Sequence, residues 1–125
     1  MVLLFHFTHY NCNKMINVVN KRTHKPTDRD VYIGRPTPVS NPFTHLKDTT
    51  APYKVDTRDQ AIDLYRPWFK KQLLSNSTST FSYMIQKIIS MAASGDVNLV
   101  CWCHPNKCHG EIIKEYVEKV LNDKL

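Results

Sequence analysis

Residues 97–103, Val-Asn-Leu-Val-Cys-Trp-Cys, are nearly continuous in apolar character. A short run of this kind predicts a strand buried on both faces, the usual situation in a parallel sheet covered by crossover segments. The next positions are dense in chemistry: from Cys101 to His109 there are three cysteines and two histidines. An amphipathic pattern begins at about Cys108, so the stretch reads as strand, tight loop and helix start. The rest of the chain has to supply the other strands and the helices that cover them.

Ile16–Val19 and Val31–Ile33 are short β-branched runs between polar segments, and they read as two further strands. Arg35 to Phe43 carries prolines at 36, 38 and 42. Each lacks an amide donor and restricts the residue before it, so this segment is a stiff, extended loop. It can hold Arg35, Ser40 and Asn41 in place at low entropic cost, which suits recognition. A proline-rich connection with a surface arginine would have the same sequence. Residues 44–56 have no period and are expected to form a longer loop that closes over a site.

Thr57-Arg-Asp-Gln60 is a capping box, and Ala61, Leu64, Tyr65, Trp68 and Phe69 continue at helical spacing to about Leu74. Pro67 predicts a kink or a second helix start. After a polar break at 76–80, a second helix buries Phe81, Met84, Ile85, Ile88, Ile89 and Ala92 and stops at Gly95. The last helix, from about Cys108 to Leu121, turns Ile112, Ile113, Tyr116, Val117, Val120 and Leu121 inward. The aromatic and methionine stripes are core. The order β, β, long loop, α, α, β, α predicts a small three-layer α/β domain with a mainly parallel sheet of three to five strands.

At 125 residues the chain is long enough for one core and too short for two. Residues 1–14 are apolar at first but too short to span a bilayer, and they lack a basic leader. They read as an N-terminal extension of a domain covering 15–125, with Met15 as an alternative start and no membrane partner. A net charge of +6 favours anionic partners, either nucleotides and phosphorylated small molecules or nucleic acid. The basic residues form no block, so a phosphate-sized site fits as well as a polymer. Three of the four cysteines crowd together, whereas a secreted disulfide scaffold would spread them. Reduced thiols or metal ligands in the cytoplasm follow.

A loop from the carboxyl end of a strand to the amino end of a helix is where open α/β sheets place ligands, and free helix amides there favour an anion. Cys108, His109 and Gly110 fall in that turn, with Gly110 permitting close approach and the helix dipole stabilising a Cys108 thiolate. Four chemistries compete. Cys101, Cys103, His104, Cys108 and His109 supply enough ligands for a tetrahedral zinc, although no C-x-x-C knuckle is present. Cysteine-based phosphoryl transfer shares the strand-loop-helix layout. It wants an arginine six residues after the cysteine, where this chain has Lys107 or His109. A nucleotide or sugar-phosphate site would use Cys108, His109 and the helix amides with Arg35 and Asn41. Finally, Cys101 and Cys103 can be small core residues with His109 capping the helix. Glu111 suits acid/base work or simply complements the helix dipole.

Tyr32-Ile-Gly-Arg-Pro-x-Pro-x-x-Asn-Pro-Phe43, Ala61-Ile-x-x-Tyr-Arg66 with Trp68, and Cys101-Trp-Cys-x-Pro-x-x-Cys-His-Gly110 together resemble domain-of-unknown-function family 4326, found in phages and bacteria. The likeness covers about residues 15–121. The Cys-His-Gly element is similar, more distantly, to a Cys-His-Arg element of another uncharacterised α/β family. Gly110 stands where that family has arginine, leaving Arg35 or Arg66 to replace it. Both resemblances imply a Rossmann-like fold and neither implies a reaction.

The expected function is binding of a nucleotide or nucleoside-derived ligand at the carboxyl edge of the sheet by a phage-type protein, in the cytoplasm of the infected host. Arg35, Ser40, Asn41, Arg66, Cys103, His104 and Gly110 would bind the ligand, and no cofactor is called for. Any turnover would be hydrolysis or transfer at a glycosidic or phosphate bond by Cys108, His109 and Glu111. The alternatives are a non-catalytic binder that sequesters a nucleotide signal or contacts a host protein, and a structural zinc module for nucleic acid.

Overall fold

Strand β1 (Ile16–Asn20) is followed by β2 (Asp30–Tyr32), β3 (Phe43–Thr44), β4 (Tyr53–Lys54), helix α1 (Arg58–Ser75), α2 (Thr80–Ser94), β5 (Val97–Cys101) and α3 (Gly110–Asp123). The structure is a computed structural model that describes residues 15–47, 51–75, 77–104 and 106–123. The segment 1–14, read above as an extension, lies outside the described residues.

The main sheet has the order β1-β5-β2 and is entirely parallel. Ile16 pairs with Val97 and Asn20 with Cys101 on one side, and Asp30 pairs with Asn98 on the other. The most apolar strand thus takes the central place. Parallel pairing forces residues 21–29 to return across β5 before β2 can begin, while the β2-to-β5 connection runs the opposite way through α1 and α2. Right-handed crossovers in opposite directions lie on opposite faces. Accordingly, sheet residues of one face only (Ile16, Val18, Val31, Val97, Leu99, Cys101) join the helices in the core cluster.

The other face is mixed: Val100 is buried there beside Val19 and Tyr32, and the rest is a polar network. Asn17 donates to Asn98, Asn98 donates to Asp30, and Asp30 also meets His24 of the crossover at 2.9 Å. This is the main difference from the sequence expectation. The α/β class and the parallel sheet are as expected, but the third layer is the irregular crossover 21–29 rather than a helix. The reason is legible in hindsight, since Asn17, Asn98 and Asp30 fall on one face by the period of two.

The capping box closes as its sequence implies: the Gln60 amide donates to Thr57 Oγ1 at 3.1 Å and the Thr57 amide to Gln60 Oε1 at 3.2 Å. Ser79 caps α2 by accepting from the Ser82 amide. Helix α1 continues through Pro67 as one element. The hydrogen bond that proline removes would have used the Asp63 carbonyl, and both residues are exposed, so water can serve that group. Residues 44–56 are not wholly irregular. β3 and β4 pair in parallel, with Phe43 stacked on Tyr53 at 5.3 Å between ring centroids. Two-residue strands are too short to leave a period.

Candidate functional site

The loop leaving β2 is stiff because it is braced as well as proline-rich. Tyr65 Oη, on fully buried α1 surface, donates to the Val39 carbonyl at 2.7 Å. The Asn41 amide donates to the Ala61 carbonyl at 3.0 Å and its oxygen accepts from the Phe43 amide. Within the loop, Ser40 Oγ and Thr37 Oγ1 bond to the carbonyls of Thr37 and Gly34. These contacts fix the Arg35 segment against the start of α1 and the end of β5.

Between those three elements lies a cavity of about 200 Å³. Arg35, Arg58, Lys107 and His45 line it together with Cys101 and Cys103, and among the described residues no carboxylate lines it. Arg35 donates once, to the Asn41 carbonyl at 3.2 Å, and its Nε is buried without a partner among the described residues. Lys107 comes only to 3.7 Å of Asp59, with both side chains largely exposed, so that pair neutralises little. Trp102 stands on the rim, 51% exposed, its indole N–H donating to Tyr32 Oη.

The thiols divide by environment. Cys108 is 1% exposed and receives the Gly110 amide at 3.4 Å. The neighbouring Cys101 and Cys103 thiols keep its own thiol protonated, with burial acting in the same direction. Cys103 is half-buried on the cavity wall. The hydrogen bond from Cys108, together with the charge and hydrogen bond of Arg58 and the charge of Arg35, outweighs burial and lowers it to about 6. Cys101 is also pulled down by Cys108, but a charge on Cys103 opposes its own ionisation. Of the three thiols, Cys103 beside the guanidinium groups is the most readily ionised.

His109 is enclosed. Its Nε2 lies 2.8 Å from the Ile33 carbonyl, which can only accept, so Nε2 carries the hydrogen and Nδ1 presents a lone pair 3.6 Å from Cys108 Sγ. Burial lowers the imidazole to about 4; the Ile33 bond opposes this and the charge of Arg35 adds to it. The ring is neutral at pH 7.

Arg35, Ser40, Asn41, Cys103 and His109 are brought together around the cavity, and Cys108 lies directly behind it. The other candidates lie elsewhere. Arg66 forms a two-pronged pair with Glu115 in a separate groove between α1 and α3. Glu111 is exposed on α3, and the His104 carbonyl accepts from Asn20. Gly110 faces the sheet: a Cβ there would meet Ile33 Cδ1 at 2.9 Å and Val18 Cγ1 at 3.0 Å. Its close approach is to the core, and an arginine has no room at that position.

Sequence reasoning did not single out Arg58 or His45, and it weighed Lys107 only as the residue standing where C-x-x-x-x-x-R has arginine. Arg58 left a signal of its own, as a cation in the first turn of a helix where the dipole disfavours it. An arginine on the cavity that Cys101 and Cys103 line thus comes from α1. Among the described residues no group of three or more His, Cys, Asp or Glu side chains is placed to hold a metal ion. No described helix is long and apolar enough to cross a membrane.

One protein family matches the chain: its description is a domain of unknown function (DUF4326), and the match covers residues 16–119. Comparison with curated proteins and with solved structures returned no match.

Proposed function

As the chain belongs to the DUF4326 family, whose description assigns no activity, we propose a function from the site itself: binding of a nucleotide or nucleoside-derived phosphate in the cavity between Arg35, Arg58 and Lys107. The observation that carries this reading is the convergence of three cations on a cavity that no carboxylate lines among the described residues. Three cations outnumber the Cys103 thiolate they face, and the net positive charge left in a partly desolvated space favours an anion. Trp102 on the rim offers a stacking face for a base, which favours a nucleotide over bare phosphate.

Binding is favoured over hydrolysis at a phosphate or glycosidic bond. Among the described residues no carboxylate lines the cavity, and the proton of His109 is committed to Ile33. The unit that carries the function is the domain from residue 15 onward. Its place is the cytoplasm, a phage-infected host's included, where clustered thiols stay reduced.

Titration calorimetry with AMP, ADP and inorganic phosphate, with adenosine as the uncharged control, tests the reading. The phosphates should bind and adenosine should not. Arg58→Ala should weaken AMP by about 10- to 100-fold, the worth of one charge-assisted contact. Absence of binding heat at millimolar ligand, or wild-type affinity in both Arg58→Ala and Arg35→Ala, would sink it.

A further inference from the structure

The nucleotide reading uses the arginines but leaves unexplained why three thiols and a tautomer-fixed histidine are packed behind the cavity. Cys101, Cys103 and Cys108 are all free. They differ in access: Cys103 is half-buried on the cavity wall, whereas Cys101 and Cys108 are each 1% exposed. Only Cys103 can meet a reagent from solvent first. Behind it, Cys108 is close enough for the two thiols to shift one another's ionisation, and its sulfur lies 3.6 Å from Nδ1 of His109, which lines the same cavity as Cys103. Cys101 is a less suitable partner, because it lies two residues away along the chain, where a bridge would strain the backbone.

Cys108 keeps its proton in the resting site, and two groups beside it come into play once oxidation of Cys103 removes the thiolate that opposes a second charge. The lone pair of His109 Nδ1 lies 3.6 Å from its sulfur, and the Gly110 amide at the start of α3 points to that sulfur at 3.4 Å. The first can take a proton and the second stabilises the thiolate left behind. The Ile33 carbonyl, by holding the hydrogen on Nε2, keeps Nδ1 free for this.

We propose that Cys103 and Cys108 form a two-thiol redox centre that reacts with a hydroperoxide, Cys103 attacking and Cys108 resolving. In the first step the Cys103 thiolate attacks one peroxide oxygen. An S–O bond forms, the O–O bond breaks, and the departing alkoxide or hydroxide takes a proton from solvent. In the second step Cys108 passes its proton to His109 Nδ1 and attacks the sulfenic sulfur. An S–S bond forms, the S–O bond breaks, and the hydroxide leaves as water with that proton. The two sulfurs supply two electrons and the peroxide is reduced. His109 is a positioning residue in this scheme, since it acts through Cys108. The centre does not depend on what the cavity binds.

The test is peptide mass spectrometry of the reduced, full-length protein after one equivalent of hydrogen peroxide and a thiol-blocking quench. A Cys103–Cys108 disulfide that dithiothreitol reverses is expected, formed equally in Cys101→Ser. In Cys108→Ser, Cys103 should accumulate as a sulfenic acid that dimedone traps. His109→Gln should leave sulfenic acid formation unchanged and slow disulfide closure by at least about tenfold; equal slowing of both steps would remove His109 from the scheme. A bridge to Cys101 or Cys12, direct passage of Cys103 to the sulfinic acid, or no oxidation at one equivalent would overturn the proposal. If Cys108→Ser does not fold, wild-type mapping still decides it.

Discussion

Acidification from pH 7 to pH 5 should destabilise the fold by about 2 kcal/mol through His109 alone. Burial is the largest cause of its low pKa, drawing the imidazole from 6.5 to about 4. Between those values the unfolded chain binds a proton that the folded site refuses. The stabilisation is therefore complete above pH 6.5, declines as pH falls to about 4, and is constant below. Its full size is about 3 kcal/mol, from 2.5 pH units at about 1.4 kcal/mol each, and roughly 2 kcal/mol of it is gone at pH 5. Urea unfolding of wild type and His109→Gln at pH 7, 6 and 5 isolates the effect, because the variant has nothing to titrate there. The wild-type midpoint should fall by about 1 M urea more than the variant's. Parallel pH dependence of the two proteins would refute the reasoning, since His109 would then be accessible to water or protonated in the fold. Asp30 does not confuse the result. Burial pushes its carboxyl up, but donors from Thr27, His24 and Asn98 win and hold it well below the carboxylate range, so its stabilisation is lost only below about pH 4, its unfolded value.

Two substitutions probe the scaffold. Gly110→Ala should cost about 1–3 kcal/mol in thermal or urea unfolding, because its Cβ would sit within 3.0 Å of Ile33 and Val18 and the stiff Val18 side chain cannot yield cheaply; a gain in stability from better helix propensity would contradict that packing. Arg66→Ala should change stability by less than about 1 kcal/mol and leave nucleotide titrations unaltered, since its partner Glu115 is exposed and the pair lies in another groove.

The elements that were legible in the sequence owe it to local physics. The capping box at Thr57, the apolar stripe of α3 and the β-branched strands are short-range patterns that tertiary contacts had only to accept. The crossover 21–29 and the β3–β4 pair were missed because neither has a period; pairing with distant strands creates them. The site was half legible. Arg35 and the cysteines stand in conspicuous motifs, whereas Arg58 and His45 are ordinary residues until the fold places them on the cavity that Cys103 lines. Arg66 misled because its spacing marks a helix face without saying what that face meets.

Chain order and periodicity alone determined an α/β domain with Val97–Cys101 at its centre and a thiol-rich turn at the carboxyl edge of the sheet. They could not decide which cysteine carries charge. A cysteine at a helix start reads as the activated one, and that argument pointed to Cys108. The tertiary structure reverses the order: burial and two thiol neighbours keep Cys108 protonated, while its hydrogen bond and the guanidinium groups of Arg58 and Arg35 hold the charge on Cys103. Ionisation depends on solvent access and on charges from elements far apart in the chain, and only folding brings those together.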